Sequence, residues 1–435
     1  MTYWGRDLKD FDSSEVNREA VPRSVGRTRF RTTGFGLLAC VLAAGWSLAA
    51  SDVSGSTASS AALPSTGRYL QRFAPTYMTP TTTYTLAEAV QIATEFDVIA
   101  AHDGQFNAYI AQMKAANPNI VILDYFNGSF AQSNQGTLYP ESWYARDSSG
   151  NKITSTNFGN YLMDIGLKAW SDNVSSKCAG YLASAPFDGC FLDMLGDALF
   201  FGSYLSAIPI NPATGAPWTL QERMDATTAI AQDVVNGNPG ALIQANGLKA
   251  GYRYFDPTVP TSELFNGAPS ALAETWIRQA TRPINYYESE AAWKQDVDML
   301  TDAATRGRSI AVTTKVWISA TQAQMDQWHA FSLASFLLGT QGTAYYAFLA
   351  PKTPAGFVAN YAWDHLAVGS PLNTYSKGAG VYRRNFSNAL VVVNPTSLSH
   401  SITVHHNCTT LGGVVILNGA LMTLGPETGE ICMYS

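Results

Sequence analysis

The sequence predicts an α/β protein: a (β/α)8 TIM barrel followed by a small C-terminal antiparallel β-domain. Three observations lead there. Short β-branched or aromatic runs alternate with longer amphipathic stretches, the pattern of parallel strands joined by crossover helices. Eight such runs fit into roughly 280 residues, the size of one closed barrel. Beyond residue 371 the pattern changes to closely spaced short strands. A doubly wound open sheet is the competing arrangement, but no GxGxxG phosphate loop follows the first run.

In chain order the strand runs are 69–74, 96–101, 120–126, 187–193, 241–246, 271–276, 309–316 and 343–348. Between them, apolar residues recur at helical spacing over 85–95, 105–116, 159–183, 220–235, 291–305 and 323–338. The connection between the fifth and sixth strands lacks a full helix. Two connections are long, 127–157, rich in aromatic and turn residues, and 199–218, with Pro209, Pro212 and Pro217. Both follow a predicted strand, where barrel enzymes place loops that touch substrate. These elements make 67–371 the barrel. The tail, 372–435, reads as hairpin strands over 378–386 and 389–395, then 401–405, 414–417 and a last strand near Ile431, a sandwich-like domain expected to cover one side of the barrel.

Ahead of the barrel, Arg23, Arg27, Arg29 and Arg31 precede an apolar run over 35–50 that ends in Ser47-Leu48-Ala49, the layout of a cleavable export signal. Residues 1–50 are therefore read as a signal peptide, with an N-terminal anchor as the alternative. The run is short for a bilayer span and diluted by Gly36 and Gly45. A lipoprotein site at Cys40 is weak, because most of the apolar run follows that cysteine. Residues 51–66, Ser/Ala/Thr/Gly without periodicity, have the composition of a flexible linker.

The 435 residues are 46% hydrophobic and 14% charged with a net charge of −6, too apolar for a disordered chain and too poor in cations for a nucleic-acid binder. Loss of residues 1–50 removes seven basic and five acidic side chains and leaves the balance more acidic still. Partners with phosphate backbones or anionic lipids are thus excluded, and a membrane enters only if the N-terminal run is retained. Beyond Cys40 four cysteines remain, an even number for an oxidising compartment, and Cys178–Cys190 and Cys408–Cys432 are the expected disulfides, with buried free thiols as the alternative. No CxxC or His-rich spacing points to a metal site, and no cofactor is expected.

Reactive groups of such barrels sit at the C-terminal ends of the strands, so the polar residues closing each run are the candidates. They are Gln71 and Arg72, then His102 and Asp103, then Asp124 and Asn127, then Asp193, Asn246, Glu274, Lys315 and Tyr346. Asp193 ends an apolar strand, where an unpartnered carboxylate would be costly, and Glu274 ends the sixth strand in the same manner. Carboxylates on strands four and six face each other across a barrel mouth, which is what glycosidic cleavage requires of its acid and its nucleophile or base. Against this stands an ion pair of either carboxylate with Arg72, Arg253 or Lys315. Asp197 is read as a loop or cap residue. Tyr125, Phe126, Trp143, Tyr144, Trp276, Trp317, Tyr345 and Tyr346 add flat rings that suit pyranose faces.

The residues Phe187-Asp188-Gly189-Cys190-Phe191-Leu192-Asp193, Ile243-Gln244-Ala245-Asn246-Gly247 and Ala271-Leu272-Ala273-Glu274 resemble a bacterial glycoside-hydrolase-like family fifteen, over nearly all of 69–435. The Asp188-to-Asp193 segment is also similar to that of the endo-α-1,4-polygalactosaminidases and, more distantly, of the α-galactosidase clan. That resemblance implies a nucleophile at the end of strand four, here Asp193, and an acid/base at the end of strand six, here Glu274. The chain departs from the clan in carrying Glu at the second position and Phe191 where the clan has Lys, which argues against an α-galactosidase substrate.

The expected function is hydrolysis of a carbohydrate by a secreted glycosidase, with Asp193 as nucleophile or base and Glu274 as acid. Arg72, Asp124, Asn127, Asn246, Trp276, Lys315 and Tyr346 are the expected substrate-binding residues. A non-catalytic carbohydrate-binding or cell-surface barrel is the alternative. A metal-dependent hydrolase would need His ligands on strands, and His102, His329 and His365 lack that placement.

Overall fold

The computed structural model describes residues 62–196 and 204–435, and within them all eight expected runs join one parallel sheet. The strands are β1 (Phe73–Pro75), β2 (Val98–His102), β3 (Val121–Asn127), β4 (Gly189–Asp193), β5 (Leu242–Asn246), β6 (Ser270–Ala273), β7 (Ser309–Lys315) and β8 (Ala344–Leu349), and they neighbour one another in that order. β1 and β8 meet through a parallel bridge between Arg72 and Tyr346, where Tyr346 N donates to Gln71 O at 2.8 Å, so the sheet is a nearly closed barrel.

Side chains alternate across each strand. Phe73, Val98, Leu123, Phe191, Leu272, Ala311 and Tyr345 fill the interior, whereas Ala74, Ile99, Ile122, Cys190, Ala271, Ile310 and Tyr346 face the helices outside. Gly189 is required where β4 passes β5, since a Cβ there would lie 1.7 Å from Leu242 O.

Among the described residues, six helices of seven residues or more cover the outside: α1 (Leu86–Glu95), α2 (Ile110–Ala116), α3 (Lys168–Ser184), α4 (Leu220–Gly237), α5 (Glu290–Thr305) and α6 (Gln322–Gly339). Thr85 with Glu88, Thr219 with Glu222 and Thr321 with Gln324 form capping boxes that start α1, α4 and α6. Between β5 and β6 only the short helices Gly251–Tyr254 and Thr261–Asn266 occur. Two helices begin later than their apolar spacing indicates. Residues 159–167 include Tyr161–Leu162, which pairs with Phe130–Ala131 instead, and Gly159 has a φ of 67°. At α2, Gln105 is held in a turn by accepting from His102 N and donating to Thr79 O.

Both expected disulfides are formed. Cys178–Cys190 ties α3 to β4, and Cys408–Cys432 ties two strands of the tail. The tail is a six-stranded antiparallel sheet backed by a two-stranded one, with Val381, Val392, Ile402, Val404 and Leu424 between them. It includes three strands the sequence did not signal, Ser376–Gly378, Cys408–Thr409 and Leu421–Leu424. The sheet is fastened to the barrel by Arg384, 1% exposed, whose Nη1 donates to Leu337, Leu338 and Thr340 carbonyls at the end of α6. A cation there also suits the negative end of the helix dipole.

The barrel takes in residues before Gly67. Leu63, 3% exposed, belongs to the interior cluster; its carbonyl accepts from Ser309 Oγ at 3.2 Å, and Pro64 O accepts from the Tyr345 hydroxyl. The last residues of the stretch expected as linker therefore close the N-terminal end of the barrel, because Leu63 is apolar enough to be buried there. The export segment 1–50, Asp197 and the first residues of the 199–218 connection lie outside the described residues. Among those described, no helix is long and apolar enough to cross a membrane.

Candidate active site

Asp193 is the last residue of β4 and Asn246 the last of β5, and Glu274 directly follows β6. All three share the inward phase of their strands and meet at the C-terminal end of the barrel. The Asn246 amide joins the two acids: Nδ2 donates to Asp193 Oδ1 and to Glu274 Oε2, both at 2.8 Å. Two oxygens that share one donor in this way are at most roughly 5.6 Å apart, within hydrogen-bond geometry. Asp193 also accepts from the Tyr125 hydroxyl at 2.6 Å and from Met194 N at 2.8 Å. Glu274 Oε1 takes the Lys315 ammonium at 2.6 Å, and Thr313 Oγ1 donates to Glu274 O at 2.7 Å.

The ion pair weighed as an alternative is thus present for Glu274, with Lys315. It does not seal the carboxylate: the Lys315 side chain is 6% exposed, but Glu274 keeps 34% of its own open to solvent. Asp193 is half-buried.

These contacts divide the protons of the pair. Burial raises Asp193, the Glu274 charge raises it further, and the hydrogen bonds from Tyr125, Asn246 and Met194 offset only part, so it is pushed up to about 6. Burial also acts to raise Glu274, but the Lys315 ammonium and the Asn246 amide outweigh it and hold this carboxyl below the usual range. Glu274 is the first of the two to ionise and Asp193 the second.

The backbone beneath the site is strained. Met194 (φ 64°), Lys249 (φ 61°) and Ile277 (φ 61°) follow β4, β5 and β6 in the left-handed region, which is costly for a β-branched residue such as Ile277. Asp296, fully buried on α5, holds two of these loops by accepting from Gly251 N and Ile277 N.

Of the other expected binding residues, only Lys315 touches the pair. Asn127 lies at the end of β3 in register with Asp193, but its Oδ1 is taken by Ser129 N and Phe130 N. Asp124, Arg72 and Tyr346 have the outward phase and point into the helical layer, so the structure corrects their assignment to the mouth. Arg72 donates to Glu95 O and Ala359 O and lies over the Phe96 ring, and the Tyr346 hydroxyl pairs with Ser332 Oγ of α6 at 2.6 Å. Trp276 is also turned away: it is fully buried, and its Nε1 donates to Asp296 O. Asp124 is fully buried; neither carboxyl oxygen has a hydrogen-bond partner of good geometry, though the Tyr125 and Asp103 amides are near.

Three further residues belong at the mouth, of which Tyr125 and Trp317 are among the rings expected to suit pyranose faces and Tyr77 is not. Tyr125 lies on β3 between Asp124 and Phe126, in the inward phase. Tyr77, in the turn after β1, stacks on Tyr125 at 4.6 Å and on Phe191 at 4.8 Å, and its buried hydroxyl has no hydrogen-bond partner. Trp317, just beyond β7, has the Lys315 ammonium 4.7 Å from its ring centre. Counting in twos along β3 finds Tyr125; nothing in the sequence marks Tyr77. Two hollows of ≈ 380 and ≈ 310 Å³ lie along α4 and are lined by none of the mouth residues.

Residues 114–390 match the model of a family described as hypothetical glycosyl hydrolase family 15. No curated protein matches the chain by sequence. Among solved structures, the Flavobacterium johnsoniae GH31 dextranase complexed with glucose is 9% identical with a TM-score of 0.48, over 86% of this chain and 52% of its own. A GH36 α-galactosidase from Geobacillus stearothermophilus in complex with raffinose is 9% identical with a TM-score of 0.45, over 85% of this chain and 57% of its own. The noncanonic maltogenic α-amylase AmyB from Thermotoga neapolitana is 9% identical with a TM-score of 0.48, over 85% of this chain and 99% of its own. The chain spans little more than half the length of the dextranase and the galactosidase.

Proposed function

The chain belongs to hypothetical glycosyl hydrolase family 15, and on that premise we propose that it is an exported enzyme that hydrolyses glycosidic bonds of a poly- or oligosaccharide through Asp193 and Glu274. The observation that carries this is the sharing of the Asn246 amide by both carboxylates, which supports a separation in the range of retaining enzymes, about 5–5.5 Å, and below the roughly 6.5–9.5 Å of inverting ones. Export is supported by the N-terminal sequence pattern and by two disulfides.

The proton order supports roles opposite to those implied by strand position. Glu274, ionised beside Lys315, attacks the anomeric carbon. The bond to the leaving oxygen breaks as Asp193 gives that oxygen its proton, and a glycosyl ester forms on Glu274. Asp193, now a carboxylate, takes a proton from water; the water oxygen attacks the anomeric carbon, the sugar leaves, and Glu274 is restored. Tyr125 and Asn246 hold Asp193 in place through both steps.

An activated aryl glycoside separates the roles, because its leaving group needs no proton. Asp193→Ala is expected to keep much of its kcat/KM on that substrate, which reports formation of the glycosyl ester, though its kcat falls because no base is left to activate water; on the natural linkage kcat/KM drops more than a hundredfold, whereas Glu274→Ala loses both. The reverse pattern would return the nucleophile to Asp193. A non-catalytic carbohydrate-binding barrel is favoured by the Glu274–Lys315 ion pair, and it stands if the wild-type chain binds a glycan that it never cleaves and that Glu274→Gln binds equally well.

A further inference from the structure

We propose, building on the glycosidase reading, that the barrel mouth selects an acidic sugar, one carrying a carboxylate or a sulfate, and seats its anionic group between Lys352 and the Trp317 indole. The chain carries a net charge of −6, yet lysines gather at this end of the barrel: Lys315 closes β7, Lys249 follows β5 and Lys352 follows β8. Lys315 is paired with Glu274, and Lys249 also acts on that carboxylate. Lys352 is different. Among the described residues, the charged side chain that acts on it is Lys315, another cation.

Trp317 lies between the two, with the Lys315 ammonium 4.7 Å and the Lys352 ammonium 5.1 Å from its ring centre. The indole Nε1 is buried without a hydrogen-bond partner, a donor that a native structure leaves unpaired only for a reason. An oxyanion provides the missing acceptor and neutralises Lys352 in one contact. The position of Lys352 is set by its neighbours: Thr353 Oγ1 accepts from Gly356 N at 3.1 Å, and Phe357 packs edge-on against Trp317 at 6.1 Å. Burial and the Lys315 charge also hold the Lys352 ammonium below its usual range, a cost an anion relieves. Lys352 is exposed, so water can solvate it in either case, but a neutral sugar offers it no counter-charge and a polymer of amino sugars meets like charge.

The test measures binding by the full chain carrying Asp193→Asn, so that turnover does not interfere. The ligands are oligomers of polygalacturonate, a sulfated galactan, an unsubstituted galactan and polygalactosamine. An acidic oligomer is expected to bind at least about tenfold more tightly than the neutral one, with the margin shrinking as salt rises. Adding Lys352→Gln removes about tenfold of that affinity, and Lys352→Arg restores it. Preference between the carboxylated and sulfated ligands identifies the anion. Equal or tighter binding of neutral or cationic oligomers, no binding at all, or an unaltered affinity with Lys352→Gln overturns the proposal. Cleavage is scored separately with the unsubstituted chain: acidic binding without cleavage sinks the glycosidase reading alone, and cleavage of neutral glycans without acidic preference sinks this proposal alone.

Discussion

Asp124 provides a test that needs no substrate. Burial, with the Asp103 charge adding to it, pushes its carboxyl up to about 8 from an ordinary 3.8. Between those values the folded chain binds a proton there that the unfolded chain has released, so folding stability falls as pH rises. At 1.36 kcal/mol per pH unit, going from pH 5 to pH 8 costs roughly 4 kcal/mol. Asp124→Asn keeps the shape and does not titrate. The assay is urea unfolding of both chains with disulfides intact at pH 5, 6.5 and 8, taking the difference between them so that shared titrations cancel. At pH 5 the difference is expected to be small; by pH 8 the variant gains on the order of 4 kcal/mol relative to the wild type. Parallel pH profiles would refute the buried neutral acid, and loss of glycan binding by Asp124→Asn with stability intact would return Asp124 to the mouth.

Lys315→Met takes the ion pair from Glu274, leaving the Asn246 amide and the more distant Lys249 charge, and raises its pKa, so kcat/KM should fall by about a hundredfold or more and the acid limb of its pH profile should move up; an unmoved limb contradicts the ion pair's role. In the wild type, kcat/KM should decline as pH rises through about 6, as Asp193 loses its proton, and a flat profile to pH 8 would remove Asp193 as the acid. Arg384→Met leaves three carbonyls at the end of α6 unanswered and should cost a few kcal/mol, read as a lowered Tm with the mouth chemistry unaltered. Cys178→Ser with Cys190→Ser opens a loop with a sequence separation of 12 and should cost about 3 kcal/mol in the urea midpoint.

The eight strands were legible because each is a short β-branched or aromatic run between longer helical periods, and even the missing helix before β6 left its trace. The acids Asp193 and Glu274 were legible because a carboxylate closing an apolar strand stands out. Arg72, Asp124 and Tyr346 were misplaced because polarity near a strand end was weighed without the phase of the strand. Stepping in twos from Leu123 brings Tyr125 and Asn127 inward and sends Asp124 out, and the same count from Tyr345 sends Tyr346 out. Trp276 escapes that rule. It has the phase of Glu274, but it lies past the end of β6, beside the turn at Ile277, where strand alternation no longer governs direction. Tyr77 follows a strand of three residues, too short for any periodicity to point at its successor.

Leu63 sits at the floor of the barrel, on the opposite side from Asp193 and Glu274. Changes at Leu63 therefore act on the closure of the barrel's N-terminal end and leave the acid pair on the other face untouched.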